Sequence, residues 1–137
     1  MEAFLPSEPA RPGENFSRVA LTRAAVELLE QLWDRNGPLM FHQSGGCCDG
    51  SAPMCFLEGE FITSDADVLL GVFTLPQRGR LGFWMSAEQF AYWEHTLLTV
   101  DVVDGRGSGF SLEAPEGKRF LIRSTLMGGA SDALAAP

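Results

Sequence analysis

The stretch Thr22–Gln43, TRAAVELLEQLWDRNGPLMFHQ, decides the fold class because it joins a helix to a strand. Thr22 is a typical N-cap residue, and apolar residues follow it at helical spacing as far as the breaker Gly37-Pro38. One face of this helix is apolar and the other is charged, so the helix should pack on a sheet. The apolar run Leu39–Gln43 follows the breaker directly and is predicted to be a strand.

The rest of the chain is predicted to add one helix and several strands in hairpins. Ser86 and Gln89 have the spacing of a capping box, and a helical pattern follows them. Alternating apolar residues and turn residues predict strands at 56–63, 68–74, 79–85, 97–103, 110–113 and 119–126. We therefore predict one α+β domain over residues 18–127, with mainly antiparallel pairing, a flexible arm at 1–17 and a flexible tail at 128–137.

The bulk composition excludes several classes of partner. The net charge of −8 argues against nucleic acid and against anionic membranes, because both attract basic surfaces. We find neither an apolar run of about eighteen residues nor the pattern of a signal peptide. The three cysteines, an odd number, fit a reducing compartment better than a disulfide framework. We therefore expect a cytoplasmic protein with no nucleic-acid partner and no membrane partner.

The candidate site lies in Phe41–Cys55, FHQSGGCCDGSAPMC. This stretch contains every cysteine of the chain, Cys47, Cys48 and Cys55, together with His42. Thiolates and neutral imidazole are the ligands that hold zinc, copper(I) and iron–sulfur clusters. The intervening glycines permit tight turns, so that ligands close in sequence can converge. The stretch therefore predicts a metal site formed by these four side chains.

Two other interpretations of the same stretch stay open. Either Cys47 or Cys48 could be a reactive thiol, with His42 lowering its pKa and Cys55 resolving it as a disulfide. Alternatively, the cysteines are buried apolar residues of a docking module, since cysteine is often buried. Adjacent side chains on extended backbone point in opposite directions, so one of the neighbouring pair can face the core while the other faces the site. Met54 could bind copper(I) through its thioether, but we expect it to fill space in the core.

Three stretches carry a family resemblance, namely GPLMFHQSGGCCDGSAPMC at 37–55, MSAEQFAYWEHTLLTVDVV at 85–103 and GRGSGFSLEAPEGKRF at 105–120. They resemble a family catalogued as a domain of unknown function, family 779, and the resemblance extends over Leu21–Leu126. Members are small bacterial proteins that are often encoded near aldehyde or alcohol dehydrogenases. The resemblance therefore implies an accessory role, with such a dehydrogenase as the partner.

The order of elements is also similar to that of the A-type iron–sulfur carriers. Ser44–Gly50 resembles their Ser-Gly-Cys-x-Gly loop with an insertion, and Gly107–Phe110 resembles their Gly-x-Gly-Phe phrase. This resemblance implies a HesB-like pseudo-barrel of small, mostly antiparallel sheets with two helices, and a first ligand at Cys47 or Cys48. The carriers' C-terminal Cys-Gly-Cys phrase is missing here, so other ligands of the loop or the second subunit of a homodimer would have to replace it.

These observations together predict a metal-binding accessory protein and not an enzyme. The resemblance to the carriers favours iron or an iron–sulfur cluster, whereas ligand chemistry alone favours zinc.

Overall fold

The computed structural model describes residues 3–43, 51–60, 62–105 and 111–127, which form an α+β fold with two helices and two mixed sheets. The helices are α1 (Arg23–Asn36) and α2 (Ala87–Trp93), and a short 3-10 helix covers Ala114–Glu116. The strands are β1 (Leu5–Pro6), β2 (Glu8–Pro9), β3 (Val19–Leu21), β4 (Leu39–Gln43), β5 (Met54–Leu57), β6 (Asp67–Leu75), β7 (Gly79–Ser86), β8 (Thr96–Asp104) and β9 (Lys118–Leu126). The predicted fold class and the two predicted helices are confirmed.

Helix α1 begins and ends where the sequence predicted. The Thr22 hydroxyl accepts a hydrogen bond from the Ala25 N–H at 3.2 Å, which satisfies one of the free donors of the first turn. Gly37 ends the helix with φ of +96°, and its N–H donates to the Trp33 carbonyl at 2.7 Å. The buried face of α1 consists of Ala25, Val26, Leu28, Leu29 and Leu32.

The strands form two sheets with the orders β1-β3-β8-β9 and β2-β6-β7-β4-β5. Pairing is antiparallel except for the β3–β8 and β4–β7 pairs, which are parallel. The edges of the two sheets also meet, because the Ile122 N–H donates to the Ser51 carbonyl at 2.8 Å and the Leu112 N–H donates to the Cys55 carbonyl at 3.0 Å. Strand β5 and the residues just before it are therefore hydrogen-bonded on both sides, to β4 on one side and to Leu112 and Ile122 on the other.

The core is a continuous apolar cluster to which both sheets and both helices contribute. At its centre Phe41 packs edge-on against Phe120, with ring centroids 4.9 Å apart, and lies 5.5 Å from Phe83. Because Phe41 is on β4, this packing fixes which face of β4 points inward. Gln43 and Leu39 share that inward face, whereas His42 points to the opposite side of the sheet.

The N-terminal segment, predicted to be part of a flexible arm, contributes to both sheets. Strand β1 pairs with β3, β2 pairs with β6, and Ser7 between them is buried. Each of these strands has two residues and contains proline, so neither produces a periodic pattern that could be detected in the sequence. The predicted tail at 128–137 lies outside the described residues.

Three local predictions differ from the structure. Strand β5 begins at Met54, earlier than predicted, and ends before the turn at 58–60. The predicted strand at 110–113 is instead, over its described part, a turn that leads into the 3-10 helix. The Gln89 N–H donates to the Ser86 hydroxyl at 3.2 Å, but the Gln89 side-chain oxygen has no hydrogen-bond partner within the described residues, so only half of the capping box forms.

Candidate functional site

His42 is the best-defined candidate site residue. All five residues of β4 are buried, and the His42 side chain is only 2% exposed. Its Nε2 lies 2.8 Å from Oδ1 of Asp67, the first residue of β6. A buried imidazole is therefore held in a defined orientation by a carboxylate from another strand.

The environment of Asp67 keeps this carboxylate ionised. The hydrogen bond with His42 is the main cause that lowers the pKa of Asp67, and the Ser64 N–H, which donates to Oδ2 at 2.9 Å, lowers it further. An ionised carboxylate only accepts hydrogen bonds, so Nε2 carries the proton that it shares with Asp67. The pair thereby fixes both the tautomer and the orientation of the His42 ring.

Strand register places three side chains next to His42 on the face of the sheet opposite Phe41. Met54 lies directly opposite it in the β4–β5 antiparallel register, and Trp84 lies beside it in the β4–β7 parallel register. Met40, two residues earlier on β4, points to the same face. The surroundings of His42 thus contain two thioethers, one indole and one carboxylate.

Cys55 lies on the other face of the sheet. It pairs with Phe41, and residues directly opposite each other in an antiparallel pair share a face, so its side chain joins the core and is 0% exposed. Burial raises the pKa of the Cys55 thiol, and the nearby Glu113 carboxyl raises it further. The structure therefore does not bring the side chains of Cys55 and His42 together.

A buried polar cluster fixes the backbone of Cys55. Its N–H donates to the Ser111 hydroxyl at 2.8 Å, and that hydroxyl donates to Glu113. Glu113 is 1% exposed, and burial raises the pKa of its carboxyl. These contacts tie the chain at Ser111 and Glu113 to β5.

The other two predicted ligands, Cys47 and Cys48, lie in the segment 44–50, which is outside the described residues. Within the part of the chain that is described, no group of three or more His, Cys, Asp and Glu side chains is arranged to hold a metal ion. The structure thus describes His42 and Asp67, which contact each other, and Cys55, which lies on the opposite face of the sheet from His42.

Sequence reasoning missed Asp67, Ser111 and Glu113. Asp67 is separated from His42 by 25 positions and lies next to a predicted turn, where an aspartate has an ordinary structural explanation. Ser111 and Glu113 were assigned to a strand. The hydrogen bond between Ser111 and Cys55 joins residues 56 positions apart in the sequence, so no local pattern predicts it.

The fold and the site define a small α+β protein in which a buried imidazole, paired with a partly exposed carboxylate, precedes a cysteine-rich segment in the sequence. Residues 28–126 match the family described as Domain of unknown function (DUF779), and the chain belongs to this family. The predicted family is thereby confirmed. Comparisons with curated proteins and with solved structures gave no match, so the HesB-like resemblance stays a prediction. Over the described residues, no helix is both long enough and apolar enough to cross a membrane.

Proposed function

We propose that the protein is a metal-binding accessory protein, and not an enzyme, whose site consists of His42 with the thiols of Cys47 and Cys48. The observation that carries this proposal is the contact between the buried His42 imidazole and the Asp67 carboxylate, whose atoms are 2.8 Å apart. His42 is the second-to-last residue of β4, and the segment that contains both thiols follows this strand in the sequence.

The carboxylate–imidazole pair suits this role because metal-binding histidines usually donate their other ring N–H to a carboxylate. That hydrogen bond orients the ring and makes the coordinating nitrogen more basic. Asp67 has the properties required of such a partner, since its lowered pKa keeps it charged and Ser64 holds it in place.

The proposed ligand set leaves out Cys55. Metals bind the thiolate, and a thiol whose pKa is raised by burial in an apolar core is a poor source of thiolate. An iron–sulfur cluster needs several thiolates, and without Cys55 one chain supplies at most two. The proposal therefore favours a single zinc or iron ion, and an iron–sulfur cluster would require the cysteines of a second copy in a homodimer.

The same observation supports a second candidate function, a reactive thiol. An imidazole that is oriented by a carboxylate can take the proton from an adjacent cysteine and so activate it. Such chemistry would depend on Cys47 and Cys48 alone, because Cys55 is buried on the opposite face and is badly placed to resolve a disulfide.

We further propose that the protein acts in the cytoplasm on an aldehyde or alcohol dehydrogenase. This part of the proposal comes from the family resemblance, and a reducing compartment would keep the site thiols available. It is tested by co-purification of the untagged protein with the enzyme from cells that express both. If the protein is instead a docking module that binds no metal, the variants Cys47→Ser and Cys48→Ser should still bind the enzyme.

The metal proposal is tested by elemental analysis of protein purified without a histidine tag and without oxygen. We expect about one metal ion per chain, or per dimer, in the wild type. Cys47→Ser or Cys48→Ser should lose the ion, whereas the matched control Cys55→Ala should retain it. A wild type that contains no metal and takes up neither iron, zinc nor copper(I) would exclude the proposal and leave the reactive thiol, which rapid alkylation near neutral pH would reveal.

A further inference from the structure

A groove of about 490 Å³ lies on the side of the five-stranded sheet that faces away from the core cluster. It is lined by residues of β4, β6 and β7 and of the chain that follows β5. Ligand pockets commonly have volumes of about 300–1,000 Å³, so a small molecule fits here. His42 is not among the lining residues, and the groove is therefore a candidate site separate from the proposed metal site.

The floor of the groove is apolar. Gly82 and Trp84 flank Phe83 on β7, and because Phe83 is in the core they point to the groove. Val72 is directly opposite Gly82, and Leu69 is directly opposite Trp84. A Cβ at Gly82 would lie 3.1 Å from both Leu69 Cδ1 and Trp84 Nε1. Glycine at this position therefore lets the leucine and the indole lie close to the strand.

The rim of the groove adds an exposed apolar side chain. Ile62 is 86% exposed and lines the groove. An apolar group that contacted both Ile62 and the floor would remove apolar surface from water, which is favourable. The groove thus suits a ligand with an apolar body.

Two charged side chains line the groove, Arg80 and Glu58. Arg80 is already paired, since its Nη1 donates to Oε1 of Glu8 at 3.2 Å. The Thr74 hydroxyl, opposite Arg80 in the β6–β7 register, donates to the other oxygen of Glu8 at 3.2 Å. Within the described residues Glu58 forms no ion pair. The groove therefore presents one uncompensated negative charge.

This pattern of charge favours a cationic ligand. An ammonium group forms a charge-assisted hydrogen bond with a carboxylate, and the face of an indole attracts cations. The net charge of −8 attracts cations to the protein and repels anions. An anionic ligand would in addition have to displace Glu8 from Arg80.

We propose that this groove binds a small organic amine, with its ammonium group on Glu58 and its apolar body on the floor around Gly82. The proposal goes beyond the metal site and does not depend on it. Glu8, in β2, acts as a positioning residue, because it neutralises Arg80 and so keeps the groove selective for cations.

Calorimetric titration of the full chain tests the proposal with two probes of similar size and opposite charge, 2-phenylethylamine and 3-phenylpropionate. We expect about one amine to bind per chain, and no binding of the carboxylate. Glu58→Gln removes the charge at similar size and should weaken amine binding about three- to tenfold, since the carboxylate is partly solvated. In the matched control Glu60→Gln, whose side chain does not line the groove, the affinity should not change.

Nuclear magnetic resonance shows where the amine binds. The indole N–H resonance of Trp84, identified with Trp84→Phe, should shift during the titration, whereas that of Trp93, which is buried on α2, should not. Arg80→Gln should not weaken amine binding, because it removes a cation near the ammonium group.

Three results would overturn the proposal. Tighter binding of 3-phenylpropionate than of the amine, lost in Arg80→Gln, would show that the groove takes a carboxylate in place of Glu8. An amine affinity that is the same in Glu58→Gln as in the wild type would remove the assigned ammonium contact. A wild type that binds neither probe would exclude a small amine as the occupant.

Discussion

The substitution Asp67→Asn tests the role of the carboxylate–imidazole pair in stability and in metal binding. Asp67 accepts hydrogen bonds from two N–H donors, Nε2 of His42 at 2.8 Å and the backbone of Ser64 at 2.9 Å. Asparagine has a single carbonyl oxygen, so one of the two donors must face the amide NH₂ group instead.

The expected decrease in the free energy of unfolding comes from the N–H donor that loses its acceptor. Leaving a buried donor unsatisfied costs about 1–3 kcal/mol, and we expect about 1.5 kcal/mol because the Asp67 side chain is 10% exposed and water can partly compensate. If the metal site exists, the same change should weaken metal binding about 10- to 100-fold, as loss of a carboxylate behind a metal-binding histidine does.

The stability difference should depend on pH in a defined direction. The pKa of Asp67 is lowered in the folded protein, so its contribution is present above the unfolded-state pKa near 3.8 and is lost as the pH falls through the folded-state value. The difference in urea midpoint between wild type and Asp67→Asn should therefore be large at pH 7 and should shrink below about pH 4.

Urea denaturation followed by tryptophan fluorescence measures this difference, with Asp104→Asn as the control. Asp104 is an exposed acid paired with Lys118, so its loss should change the midpoint much less. The reasoning is wrong if Asp67→Asn unfolds at the wild-type midpoint at pH 7 and also binds metal with wild-type affinity.

Three further predictions concern the fold around the site. Thr22→Ala should destabilise the protein by about 1 kcal/mol or somewhat more, measured by urea denaturation, because the hydroxyl caps α1 and also donates to Asp101. A loss no larger than that of an exposed threonine would contradict the capping role. Burial raises the pKa of Glu113, so the wild type should gain stability relative to Glu113→Gln as the pH falls from neutral toward the ordinary value of 4.5, and a difference that does not vary with pH would be inconsistent with its burial. Iodoacetamide should leave Cys55 unmodified in the native protein and should modify it in urea, as read by peptide mass spectrometry; fast native labelling of Cys55 would show that its thiol is accessible.

Local chemistry made much of the fold predictable. Thr22 and Gly37 mark the ends of α1 because caps act within a few residues of themselves. The strand Leu39–Gln43 was predictable because a breaker and an apolar run delimit it. The fold class followed from the count and order of such elements.

The pairing of distant segments could not be predicted. The parallel pairs β3–β8 and β4–β7 join strands that are far apart in sequence, and no local pattern specifies their register. The short β1 and β2 strands form only because longer strands offer them free edges.

The candidate site was predictable in its residue types but not in its geometry. His42 was identified from its neighbours in sequence, whereas its partner Asp67 and the neighbouring Met54 depend on strand register. The register also places His42 and Cys55 on opposite faces of the sheet. Cys55 is paired with Phe41, and the consecutive residues Phe41 and His42 point in opposite directions.

Cobalt(II) titration of the metal-free protein tests the central claim most directly, because a cobalt–thiolate bond produces an intense charge-transfer absorption. We predict that this absorption grows to a limit at about one cobalt ion per site, disappears in the double variant Cys47→Ser, Cys48→Ser, and changes its visible bands in His42→Gln. It should persist in Cys55→Ala. A wild type without thiolate absorption at saturating cobalt, or a spectrum that depends on Cys55 and not on His42, would contradict the account.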